Sequence, residues 1–214
     1  MQRACEAAGR DPGEVTLVVV TKTFPASDVR LLHELGVRDV GENRHPEAGA
    51  KADACADLDL RWHYVGQLQT NKARVVAGYA DVVHSVDRVR LVDALARGVP
   101  EGRVLDCLVQ VSLDLPSARG RGGALPSDVP SIAAAVESSE MLRLCGVMAV
   151  APLGADPDEA FARLAEASHA LRERWPEAEA ISAGMSGDLE AAVRHGATHV
   201  RVGSAILGTR PAAR

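Results

Sequence analysis

A chain of 214 residues can build one domain with a sizeable core or two small ones, and with no shift of composition along its length it reads as a single domain, 1–214. It is 47% hydrophobic and 25% charged, and no apolar run approaches the roughly 18 residues of a membrane span, which excludes a helical membrane protein. A formal net charge of −5 with scattered arginines lacks the concentrated basic face that nucleic-acid binding needs, so small molecules are the expected partners.

Met1-Gln2-Arg3-Ala4-Cys5-Glu6 leads into charge and glycine rather than the apolar centre of a signal peptide, and the expected location is the cytoplasm. The first buried-strand pattern, Thr16–Lys22, is rich in β-branched residues and ends in an amine. A helical pattern at Ser27–Leu35, closed by Gly36, leads to a strand at Asp39–Glu42 and a helix at Pro46–Ala56. Then come strand Arg61–Val65, helix Asn71–Tyr79, strand Asp81–Ser85 and helix Arg88–Arg97, closed by Gly98. The second half continues with strand Val104–Ser112, helix Ser127–Ser138, strand Leu144–Val150, helix Asp158–Arg174 and strand Ala180–Ala183. Helix Asp188–His195, closed by Gly196, and strand His199–Val202 complete the series, while Gly120-Arg121-Gly122-Gly123 reads as a mobile loop after the fifth strand.

Eight strand–helix units predict an α/β chain folded as a single (β/α)8 TIM barrel, near the lower size limit of that fold. The alternative, an open doubly wound sheet, usually carries a glycine-rich turn after its first strand, where this chain has Thr21-Lys22-Thr23-Phe24-Pro25. Cys5, Cys55, Cys107 and Cys145 are too dispersed for a disulfide framework or a zinc site. His195 and His199 have the i, i+4 spacing of some metal ligands, but Gly196 between them ends the helix that would align them.

Lys22 stands out because the 24 basic residues comprise 21 Arg and only Lys22, Lys51 and Lys72. An amine can lose its proton and attack a carbonyl, which a guanidinium cannot, so Lys22 reads as a Schiff-base lysine or else as a strand-end lysine reaching water along its stem. In a barrel the C-terminal strand ends converge on the active face, bringing Lys22 together with Asn43, His63, His84, Ser112 and Met148. The last two strand ends add Gly184-Met185-Ser186-Gly187 before a helix, and Gly203-Ser204. Glycines, hydroxyls and a helix start suit a phosphate, although Ser186 reads equally as an N-cap. Arg201 lies inside a strand that should be buried and requires a partner, either a core carboxylate such as Glu42 or a cofactor ring nitrogen. An amine, a phosphate grip and a ring-nitrogen donor together describe a pyridoxal phosphate site. Lys72 reads as a solvated helical residue or else as a second docking point for an anionic ligand.

The segments Val20-Thr21-Lys22-Thr23, Gly41-Glu42-Asn43, Trp62-His63-Tyr64-Val65-Gly66, Gln67–Lys72, Leu144–Ala149, Ser182–Ala192 and Arg201–Gly208 resemble, over nearly the whole chain, the pyridoxal phosphate homeostasis protein family. That resemblance implies a barrel like the alanine racemase N-terminal domain, with pyridoxal 5'-phosphate held as a Schiff base on Lys22. It further implies that Ser186, Gly203 and Ser204 bind the phosphate, that Arg201 faces the pyridine nitrogen, and that Asn43 lies beside the cofactor. The family often has an aromatic residue where this chain has Arg44, and begins with a longer helix whose tail corresponds to Gln2–Ala8.

The expected role is a non-catalytic carrier involved in intracellular pyridoxal phosphate homeostasis, which limits free aldehyde and supplies apo pyridoxal phosphate enzymes. The alternative is an amino-acid racemase, which needs an acid/base group on each cofactor face. Of the two tyrosines, Tyr79 falls at a helix end and Tyr64 alternates away from His63, so neither suits that role. A class I aldolase using Lys22 directly on its substrate would leave Arg201 without a ring nitrogen to meet.

Overall fold

The computed structural model describes residues 1–114 and 122–208. Its strands are β1 (Thr16–Val20), β2 (Asp39–Glu42), β3 (Arg61–Tyr64), β4 (Val82–Val86), β5 (Leu105–Gln110), β6 (Leu142–Met148), β7 (Ala180–Ser182) and β8 (His199–Val202). They pair in chain order and close into a barrel when β8 meets β1 in parallel, with Val18 opposite Arg201 and Val19 opposite Val202. The eight strands read from the sequence are all present. Of the expected loop at Gly120-Arg121-Gly122-Gly123, Gly120 and Arg121 lie outside the described residues.

Helices α1 (Gln2–Ala7), α2 (Ala26–Glu34), α3 (Glu47–Ala54), α4 (Thr70–Tyr79), α5 (Val89–Ala96), α6 (Val129–Glu137), α7 (Pro157–Arg172), α8 (Leu189–Arg194) and α9 (Ser204–Leu207) surround the strands. The main core lies between the two layers. In α7, Phe161, Leu164 and Leu171 are buried at helical spacing, and each large side chain contributes roughly 1.5–3 kcal/mol by leaving water. Asp156 starts that helix by accepting a hydrogen bond from the Asp158 N–H (2.9 Å), with Pro157 at the first helical position. α1 buries Ala4 and Cys5, and Arg10 just beyond it donates to the carbonyls of Val193 (3.1 Å) and Ala197 (2.7 Å) around the end of α8.

Two sequence expectations need correction. β1 ends at Val20 rather than Lys22, because the chain turns there: Thr23 has φ +70 and the Phe24 N–H donates to Thr21 O at 3.1 Å. Gly36 (φ +92) and Gly196 (φ +88) adopt the left-handed helix-closing conformation, but Gly98 does not; a Cβ there would lie 2.4 Å from Arg74 O, so Gly98 serves close packing against α4. After the last strand end, Gly203 leads straight into α9.

The four cysteines are free thiols. His195 bonds Asp158 (3.0 Å) while His199 packs among the barrel histidines, and among the described residues no group of three or more side chains is placed to hold a metal. Lys72 is exposed on α4. Among the described residues no helix is long and apolar enough to cross a membrane.

Candidate functional site

The barrel's C-terminal face holds a cavity of about 420 Å³ whose walls include Lys22, Asn43, Ser186, Arg201, Gly203 and Ser204, so the closed barrel brings all six candidate residues together. Phe24, Val65, Val150 and Met185 supply apolar wall that the sequence reading did not single out. Neither Tyr64 nor Tyr79 lines it: Tyr64 is buried, and Tyr79 stacks on His45 with ring centroids 6.0 Å apart.

Lys22 is half-buried just past β1, and its turn is pinned from outside the barrel. The Thr23 N–H donates to Glu47 Oε1 (2.6 Å), and the buried Lys51 amine donates to Thr21 O (2.7 Å), Glu42 Oε1 (2.6 Å) and Glu47 Oε1 (2.8 Å). Thr21 Oγ1 also donates to Glu42 Oε1 at 2.6 Å. Burial pushes the Glu42 carboxyl upward, against the pull of Lys51 and Thr21, whereas Glu47 stays low because Lys51 and the Thr23 N–H outweigh its lesser burial. The sequence analysis gives Lys51 no role; only its hydrogen bonds from α3 to Thr21 and Glu42 reveal it as the fastener of the Lys22 turn.

Asn43 follows β2, and its Oδ1 is buried without a hydrogen-bond partner among the described residues. Gly66 allows this placement, since a Cβ there would lie 2.1 Å from Asn43 O. Arg44 is exposed and forms no part of the cavity wall. On the opposite wall, the Ser204 hydroxyl donates to Ser186 Oγ at 3.3 Å. The capping alternative for Ser186 fails: α8 starts at Leu189, and it is Asp188 that accepts a hydrogen bond, from the Met185 N–H at 2.6 Å.

Arg201 is only 4% exposed. Its Nη1 donates to Ser182 Oγ (2.6 Å) and its Nη2 to Ala149 O (2.9 Å); Glu42, a partner considered from sequence, is engaged by Lys51 and Thr21 instead. Burial pulls the guanidinium down to about 10, opposed by Asp188.

Below the cavity three histidine rings share the barrel lumen, with His63 5.1 Å from His84 and His199 6.2 Å from each. Burial holds all three below the usual imidazole range, and His199 falls to about 4. An unfolded chain therefore takes up protons that the folded barrel refuses. Stability should be complete above about pH 6.5 and fall as pH drops toward 4, with His199 alone accounting for on the order of 3 kcal/mol. Urea unfolding at pH 7.5 and pH 5 checks this, and equal unfolding free energies would refute it.

The chain matches the family model described as alanine racemase, N-terminal domain, over residues 3–211. It is 48% identical over 225 residues to the pyridoxal phosphate homeostasis protein of Mycobacterium tuberculosis, covering 97% of this chain and 87% of that one. The protein of the same name from Corynebacterium glutamicum is 43% identical over 212 residues, covering 95% and 94% of the two chains. Among solved structures, PipY of Synechococcus elongatus PCC7942 with PLP bound superposes with a TM-score of 0.84 at 35% identity, covering 97% of this chain and 99% of that one.

Proposed function

The chain belongs to the pyridoxal phosphate homeostasis protein family, and on that premise we propose that it binds pyridoxal 5'-phosphate through Lys22 and acts in the cytoplasm as a holder of the cofactor. One observation carries this reading: a single cavity gathers an amine, a buried guanidinium, a pair of serine hydroxyls and an apolar wall. At 420 Å³ it lies within the range of about 300–1,000 Å³ for small-molecule sites. The unpartnered Asn43 Oδ1 offers an acceptor to the occupant's ring substituents.

When bound, the cofactor supplies an aldehyde that condenses reversibly with an amine and releases one water. Lys22 provides that amine from a turn held by Glu47 and Lys51. Ser186, Gly203 and Ser204 offer hydroxyls and close backbone approach to the phosphate, and Arg201 offers a donor to the ring nitrogen. A guanidinium there has no proton to yield at neutral pH, so the ring nitrogen keeps a weak pull on electrons. With neither tyrosine lining the cavity, this supports holding over racemisation.

Loaded protein mixed with an apo pyridoxal phosphate enzyme should restore that enzyme's activity without added cofactor, while alanine racemisation stays at background. Substantial racemase turnover would overturn the holder reading. Ser186→Ala combined with Ser204→Ala should weaken cofactor affinity by roughly ten- to a hundredfold, from about 1 kcal/mol per hydrogen bond, while saturating cofactor still gives the visible band. Unchanged affinity in equilibrium dialysis would remove these serines from the phosphate site.

A further inference from the structure

Four consecutive hydrogen bonds cross the barrel lumen. Asp39 Oδ1 lies 2.8 Å from His63 Nε2, His63 Nδ1 lies 2.8 Å from His84 Nε2, His84 Nδ1 lies 2.8 Å from Ser182 Oγ, and Ser182 Oγ lies 2.6 Å from Arg201 Nη1. His63, His84 and Ser182 are each 1% exposed or less, whereas Asp39 opens β2 and lines a separate charged cavity with Arg38, Arg61, Asp81 and Asp106 at the strand beginnings. The chain of contacts thus runs from one mouth of the barrel to the other.

Donor chemistry gives this chain a direction. A guanidinium only donates, so Ser182 Oγ accepts from Arg201 and has its own hydrogen free for His84 Nδ1. His84 then carries its proton on Nε2 and donates to His63 Nδ1; His63 carries its proton on Nε2 and donates to the Asp39 carboxylate. The opposite order would set two acceptors face to face between His63 and Asp39 unless an extra proton entered the buried pair. Burial opposes that proton at both rings.

We propose that Asp39, His63, His84 and Ser182 are positioning residues that act on Arg201 through this one-way relay, fixing the direction in which its guanidinium meets the cavity occupant. The relay orients the buried cation without neutralising it: among the described residues no carboxylate is seen within ion-pair distance of Arg201, and the charge that acts on it from farther off is that of Asp188. Its effect on pyridoxal phosphate rests on the functional reading above, but its proton order does not. Ser182 is the pivotal link, because its one hydroxyl serves both neighbours.

Imidazole nitrogen NMR on the cofactor-free protein reads the order directly. His63 and His84 should both carry their protons on Nε2; Asp39→Asn, which still accepts a hydrogen bond, should preserve this, and Asp39→Leu should give mixed tautomers at both rings. A His84 signal indifferent to Asp39→Leu would break the relay. In cofactor titrations Asp39→Leu and Ser182→Ala should each weaken affinity about tenfold, and Ser182→Thr, which restores the hydroxyl, should recover it. Responsive rings with unchanged affinity would overturn the action on Arg201. If the unaltered protein binds no pyridoxal phosphate, the functional reading falls, and the tautomers alone decide the relay.

Discussion

Lys22→Ala is expected to eliminate the visible absorption band of the cofactor-loaded protein and to weaken pyridoxal phosphate affinity by at least about a hundredfold, or roughly 3 kcal/mol. Ser186, Ser204 and Arg201 remain in the variant, so the residual binding is that of a phosphate and a ring without a covalent tether. Lys22→Arg separates charge from chemistry: it retains a cation beside the cavity but cannot yield a nucleophilic nitrogen at neutral pH, and it should lose the band as completely as alanine does. The fold should survive both changes, because Lys22 is half-buried beyond the end of β1 and Lys51 and Glu47 hold its turn through backbone atoms of Thr21 and Thr23. Ultraviolet-visible titration with circular dichroism as the fold control makes the measurement. An unchanged band in either variant would place the covalent link elsewhere.

Lys22 was legible because the chain writes arginine nearly everywhere else, and the strand order was legible because buried parallel strands are written in Val, Leu and Ile between helical patterns. The rule that C-terminal strand ends meet brought the cavity's six candidate residues to one face, together with His63, His84, Ser112 and Met148, which do not line the cavity; the family resemblance singled out the six. What sequence could not supply was pairing across the lumen. His63 and His84 were visible as strand residues, but their contact with each other and with Ser182 exists only once β3, β4 and β7 curve around a closed barrel. Of the two partners considered for Arg201, only the Glu42 carboxylate drops out for the same reason: it is engaged by a lysine from α3. Lys51 shares the rarity that marked Lys22, but Glu47 four residues earlier makes it resemble a solvated helical pair.

Lys51→Met is expected to cost about 3–5 kcal/mol, the usual penalty for leaving one member of a buried ion pair without its partner. Glu42 is 1% exposed, and without the amine its carboxylate keeps only the Thr21 hydroxyl; its Oε2 already has no partner among the described residues. Glu42→Gln should be milder, about 1–2 kcal/mol, because the Lys51 amine still has Glu47 Oε1 at 2.8 Å and Thr21 O at 2.7 Å. The double variant Lys51→Met with Glu42→Gln should recover much of the loss, since it removes the stranded charge, and the double-mutant cycle then isolates the pair's coupling. Lys51→Met should also weaken cofactor binding, because the amine that anchors Thr21 O holds the turn carrying Lys22. Urea unfolding at pH 7.5 measures the stability differences. Equal costs for the two single variants would contradict the asymmetry, and an unaffected cofactor affinity in a folded Lys51→Met protein would separate this cluster from the site it borders.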